Sequence, residues 1–225
     1  GMIAIISDIH GNYPALKAVV EDIHRHGCDQ IISLGDVAGY YCFVNECIDL
    51  CKEQGIVNIL GNHDYYLTSG IGCPRSYSAN ACLEYQAKVI TQENMKWLHN
   101  SEPFIDIADI SMRHGGWKDP LDEYIYEFSF DMVMDRNERV FVSGHTHKQL
   151  LMRNKGKIYF NPGSVGQPRD YDPRAAYAII TDDYDVILQR VGYPIKETIE
   201  AMRRCGFQDR LSDCLLRGTK IGEVV

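Results

Sequence analysis

The amino-acid sequence predicts an α/β protein, with a helix-covered parallel sheet in its first half and antiparallel strands in its second. Three observations lead there. Short uncharged apolar runs alternate with amphipathic helical stretches from Met2 to Leu60. Four β-like runs separated by turn residues fill the stretch from Gln149 to Val191. The bulk is that of an ordinary globular chain: 225 residues, 45% hydrophobic and 24% charged, enough for one domain with a real core.

The elements follow in order. Met2-Ile3-Ala4-Ile5-Ile6 is short, Ile-rich and uncharged, so it reads as a buried strand. Leu16, Val19, Val20 and Ile23 then fall at helical spacing between Tyr13 and His26, with Asn12 as cap, Pro14 in the first turn and Gly27 as stop. Ile31–Leu34 is a second strand. Val44, Cys47, Ile48 and Cys51 mark the apolar stripe of a helix that ends at Gly55. Ile56–Leu60 is a third strand. Residues 79–99 read as two helical pieces with Thr91 capping the second, and 104–113 and 140–143 as strands. Runs at 149–153, 157–160, 176–181 and 185–191 read as hairpins, broken at Asn154-Lys155-Gly156 and Asp182-Asp183. A tail at 195–217 reads as two short helices broken at Gly206. Leu211, Cys214 and Leu215 share one face there, for covering the core or for a dimer contact. No repeat or linker divides residues 1–225, so one domain is expected.

Charge and composition exclude several classes. The formal charge is −8, from 31 acidic and 23 basic residues, which argues against general affinity for nucleic-acid backbone. No apolar run approaches the ~20 residues of a membrane span, and no basic-then-apolar leader marks export. The eight cysteines include no CxxC pair and read as reduced thiols, consistent with a cytoplasmic protein.

Polar residues cluster where strands end. Asp8 and His10 follow the first strand, Gly35-Asp36 the second, and Gly61-Asn62-His63-Asp64 the third. His114-Gly115 and Gly144-His145-Thr146-His147 follow two later strand-like runs. Any one of these is more often a turn or a surface histidine than a site. Together they place Asp, His and Asn at one sheet edge, where α/β proteins bind ligands. His24, His26 and His99 lack such a setting and read as solvated. Carboxylate, imidazole and amide oxygen without thiolate suit Mn, Fe, Zn, Co or Ni. The set is too large for one tetrahedral ion and fits two divalent ions sharing a carboxylate, about 3.5–4 Å apart, the clamp used for displacement at phosphorus.

The motifs D-x-H, G-D, G-N-H-D, H-G and G-H-x-H, in this order from Asp8 to His147, resemble the calcineurin-like metallophosphoesterase superfamily. Asn161-Pro162-Gly163-Ser164-Val165-Gly166 is similar to the following segment of small bacterial and archaeal members related to the phosphodiesterase YfcE. The resemblance implies a sandwich of two mixed sheets flanked by helices. It implies that Asp8, His10 and His147 hold one metal, that Asn62, His114 and His145 hold the other, and that Asp36 bridges them. His63 would be the catalytic histidine, protonating or hydrogen-bonding the leaving alkoxide while a metal-bridging hydroxide attacks phosphorus in line.

One departure narrows the substrate. Where protein phosphatases of the superfamily read G-D-x-V-D-R-G, this chain has Gly35-Asp36-Val37-Ala38-Gly39-Tyr40-Tyr41. The missing Asp and Arg argue against a phosphoprotein substrate and leave open what orients His63, with Asp64 a weak candidate. A small phosphodiester is the expected substrate; a phosphomonoester or nucleotide, a nuclease role, or a non-catalytic scaffold like the retromer subunit of this fold are the alternatives. Asn12 and Asn62 are candidate phosphate contacts. Arg169 is either an anion contact or a surface ion pair with Asp170 or Asp172. Tyr40, Tyr41, Tyr65, Tyr66 and Tyr171 either stack on a substrate ring or pack the rim.

Overall fold

Alternation of apolar side chains across the central strands builds two packed sheets. The computed structural model describes residues 1–223. β1 (Ile3–Ile6), α1 (Tyr13–His26), β2 (Gln30–Ser33), α2 (Val44–Glu53) and β3 (Val57–Asn58) follow in turn. The three strands pair in parallel, as the sequence predicts. Asn12 caps α1 by accepting from Ala15 N, and Gly27 ends it in the left-handed region. Next come α3 (Asn62–Ser69), α4 (Tyr77–Val89) and α5 (Gln92–His99), the last capped by Thr91.

β4 (Ile105–Ile107), β5 (Ile110–Arg113), β6 (Val140–Ser143), β7 (Leu150–Asn154) and β8 (Lys157–Asn161) form a second sheet, in the order β4-β5-β6-β8-β7. β9 (Ala175–Ile180) and β10 (Val186–Val191) return to the first sheet, ordered β10-β9-β1-β2-β3. Ile5, Ile32, Ala178 and Ile180 of one sheet meet Val140, Val142, Ile158 and Phe160 of the other. Their chain neighbours point the opposite way. Ala4, Ile6, Tyr177 and Ile179 pack beneath α1 and α2, and Phe141 and Tyr159 pack on Phe128 and Val133. This is the sandwich of two mixed sheets that the family resemblance implied.

Two expectations change, and one helix appears that the apolar pattern did not mark. The second half is not antiparallel throughout: β7–β8 and β9–β10 are hairpins, but β5, β6 and β8 run parallel. Residues 62–64 open a helix, because Asp64 at its third position accepts from Gly61 N at 3.1 Å and satisfies the helix start. The tail is one α-helix, α6 (Ile195–Arg204), followed by 3-10 turns at Asp209–Leu211 and Asp213–Leu216. Leu211 and Leu215 are buried against Tyr41, Cys42 and Met202, so that face lies inside the chain. All eight thiols are unpaired. Among the described residues, no helix is long and apolar enough to cross a membrane.

Candidate active site

The parallel strands of both sheets deliver their carboxyl ends to one edge. Asp8 and His10 follow β1, Asp36 follows β2, and Asn62 and His63 open α3. His114 follows β5, and His145 and His147 follow β6. All eight are buried, with none more than 6% exposed. Asp8, His10, Asp36, His145 and His147 sit at φ between 48° and 73°, a region unfavourable for residues with a Cβ. Main-chain bonds hold them there: His10 N donates to Asp36 O at 2.8 Å and Gly166 N to Asp8 O at 3.0 Å. Backbone strain of this kind concentrates at functional sites.

The ring nitrogens are oriented from behind. His10 Nδ1 meets Ala38 O at 2.8 Å, His114 Nδ1 meets Leu34 O at 2.9 Å, and His147 Nδ1 meets Gln167 O at 2.6 Å. Each carbonyl fixes the proton on Nδ1 and leaves the Nε2 lone pair facing the centre. There His10 Nε2 and His147 Nε2 stand 3.2 Å apart, and His114 Nε2 stands 3.2 Å from His145 Nδ1. Lone pairs converging so closely repel unless a metal ion or a proton lies between them.

Two donor groups result, Asp8 with His10 and His147, and Asp36 with His114 and His145. Asp8 Oδ2 accepts from Ser7 Oγ and His145 N, while buried Oδ1 has no hydrogen-bond partner and lies 3.3 Å from His147 Nε2. Asp36 Oδ1 accepts from His63 N at 2.8 Å. Its Oδ2 lies between the two groups, 3.3 Å from His114 Nε2 and 3.7 Å from His10 Nε2. Asn62 Oδ1 is 3.0 Å from His114 Nε2. The unpartnered carboxylate oxygen and the converging imidazoles fit two divalent metal ions.

Charge and burial compete here. Burial would raise Asp8 and Asp36, but neighbouring histidines outweigh it and hold both carboxyls down, Asp8 chiefly through His147 and Asp36 chiefly through His114. Burial would lower His114, but Asp36 outweighs it and lifts the ring to about 9. In the metal-free protein, a proton on His114 thus supplies part of the missing positive charge. Burial drives His63 to about 3, His145 to about 3 and His147 to about 4, with Arg169 adding to the effect at His63 and His147.

The remaining predicted residues divide. Asn12 is no phosphate contact: it is fully buried and turned away, donating to Gly166 O and Tyr193 OH and accepting from Thr198 Oγ1. Asp64 does not orient His63. Its carboxylate accepts from Asp36 N, Ala38 N, Gly61 N and Asn58 Nδ2, so it anchors the backbone beneath the site. Arg169 makes no surface ion pair, because Asp170 is bound by Arg190 and Asp172 by Arg174. Its guanidinium donates instead to Gln167 Oε1 and Tyr40 OH, and among the described residues it has no carboxylate partner. Tyr40 and Tyr66 lie 5.0 and 5.5 Å from the His63 ring, centre to centre. Tyr41 is buried behind the site, and Tyr65 and Tyr171 are exposed.

Two supports had no clear sequence signal. Gln86 of α4 accepts from Gly39 N at 2.7 Å and donates to Tyr41 O at 2.7 Å, fixing the loop against His63. Arg75, Asp122 and Tyr124 form a cluster beside His145. They lie in irregular segments far apart in sequence, where periodicity says nothing.

A sandwich of this topology around paired buried metal-donor groups defines a metallophosphoesterase. The chain belongs to the calcineurin-like phosphoesterase superfamily, whose domain model matches residues 2–184. An uncharacterized protein of Methanocaldococcus jannaschii is 36% identical, covering 96% of this chain and 98% of the relative. A metallophosphoesterase from Sphaerobacter thermophilus is similar in structure (TM-score 0.86, 31% identity), covering 97% of this chain and 100% of its own. A hypothetical protein of Pyrococcus horikoshii OT3 shares the fold at 18% identity (TM-score 0.86), covering 97% and 99%.

Proposed function

We propose that this chain is a dinuclear metal-dependent phosphodiesterase acting on a small phosphoester. The observation that carries the reading is the pair of buried donor groups joined through Asp36, with His63 anchored to the same carboxylate. In this reading Asp8, His10 and His147 hold one ion, Asn62, His114 and His145 the other, and Asp36 both. Mn, Fe, Zn, Co and Ni suit such donors. Two bound cations supply a water-derived nucleophile at neutral pH and neutralise charge on the phosphoryl oxygens.

The protein's own groups do the rest. His63 meets the substrate as a neutral imidazole and serves it as a hydrogen-bond donor. Its buried Nδ1 packs against Gly39 without a hydrogen-bond partner, which leaves Nε2 to serve the leaving oxygen. Arg169 carries a positive charge without a carboxylate and contacts a phosphoryl oxygen. The complete ligand set and the presence of His63 favour an enzyme over a scaffold. Eight unpaired thiols support a reducing, cytoplasmic setting.

Hydrolysis of bis(p-nitrophenyl) phosphate against p-nitrophenyl phosphate tests the substrate class. The expected result is metal-dependent turnover of the diester, reduced about 10²–10⁴-fold in His63→Ala. Turnover of the monoester alone contradicts the diester assignment.

A further inference from the structure

His145 is held differently from the other donor imidazoles. His10, His114 and His147 rest Nδ1 on buried main-chain carbonyls. His145 is turned round. Its Nδ1 faces the centre, 3.2 Å from His114 Nε2, and its buried Nε2 has no aligned hydrogen-bond partner. What lies beside Nε2 is a side chain, Asp122, whose Oδ1 is 3.3 Å away.

Asp122 is 33% exposed and belongs to the irregular segment between β5 and β6. Two neighbours fix its place. Arg75, between α3 and α4, donates to both carboxylate oxygens at 2.6 and 2.8 Å. Tyr124 stacks on the His145 ring with 3.7 Å between centres, and its hydroxyl accepts from Arg75 at 3.2 Å.

We propose that Asp122, latched by Arg75, is a positioning residue for His145 and sets the affinity of the metal site formed by Asp36, Asn62, His114 and His145. The proposal rests on the dinuclear reading above. An imidazole that offers Nδ1 to a cation keeps its proton on Nε2. That proton needs an acceptor, and a carboxylate there orients the ring and strengthens Nδ1 as a donor. The other site is braced by main-chain carbonyls behind His10 and His147. Here only His114 has such a brace, from Leu34 O, and His145 depends on two side chains from two loops. The two ions therefore bind unequally, and the Arg75–Asp122 pair tunes the weaker one.

Titration of the metal-stripped full-length protein with cobalt(II) tests this, read by visible absorption and by metal content after desalting. The wild type takes up two equivalents in two steps. Asp122→Ala weakens the second step about 10–100-fold and leaves the first unchanged. Asp122→Asn, which keeps an acceptor oxygen, falls between. Arg75→Met weakens the second step, and Arg75→Lys restores part of it. Thermal melts of the stripped variants check folding, and should Asp122→Ala fail to fold, Asp122→Asn and Arg75→Met decide. Two steps unchanged in the variants, or both weakened alike, overturn the proposal. Uptake of a single equivalent by the wild type overturns the dinuclear reading itself.

Discussion

At Asp36 one carboxylate links the metal donors to His63: Oδ1 accepts from His63 N, while Oδ2 faces His114 and His10. The His63 ring has no hydrogen bond at Nδ1, so packing holds it, and Gly39 is part of that packing. Gly39 sits at φ +94°, and a methyl group there would stand 2.4 Å from His63 Nδ1. Gly39→Ala is expected to displace the ring and lower kcat about 100-fold, measured on the diester at saturating metal. A kcat within about threefold of wild type would show that this contact does not place His63. Single residues were legible in the sequence where a motif fixed them, as at Asp8 or His147. They were not where only the fold decides direction. Asn12 follows the first motif immediately, yet its role as the cap of α1 turns its side chain away from the site. Asp64 is adjacent to His63, yet the helical turn points its carboxylate at the backbone of Asp36 and Ala38.

The start of α3 is the element that couples fold to site. Gly61 caps it, Asn62 and His63 form its first turn, and Asp64 satisfies four donors below them. Asp64→Ala strips all four of their acceptor in a buried place. A loss of at least about 3 kcal/mol in unfolding free energy is expected, measured by urea unfolding of the metal-stripped protein. A loss below about 1 kcal/mol would mean that water replaces the carboxylate. The strands and the helices with apolar stripes were readable because burial imposes a period on them. α3 was not, because it buries polar residues, and its only signals are the glycine cap and the acid three positions later.

The whole molecule stores like charges and desolvated rings at one sheet edge, so its metal-free stability depends on pH with a definite sign. His63, His145 and His147 are depressed to about 3, 3 and 4, below an unfolded value of about 6.5. They bind protons better unfolded, so stability is lost as pH falls from about 6.5 toward those values. His114 is raised to about 9, so its contribution is full below about 6.5 and is lost as pH rises through about 9. Chelated protein should therefore melt highest near pH 6.5, by scanning calorimetry. Metal-loaded protein should lose the alkaline decline, since the ion replaces the proton on His114. A chelated melting point that rises steadily from pH 6.5 to 9 contradicts this electrostatic picture. At this scale the parallel first half was plain in the sequence. The second sheet was less so, because β5 and β6 pair in parallel across a long, largely irregular connection and β8 joins β6 only after β7 intervenes, so no local pattern marks either pairing. The most direct test of a two-metal phosphodiesterase is to follow diester hydrolysis while stripped protein is titrated with Mn, Fe, Zn, Co or Ni. Activity should be absent without metal and should level off at two bound ions. Turnover by the stripped protein, or none with two ions bound for every metal, would contradict it.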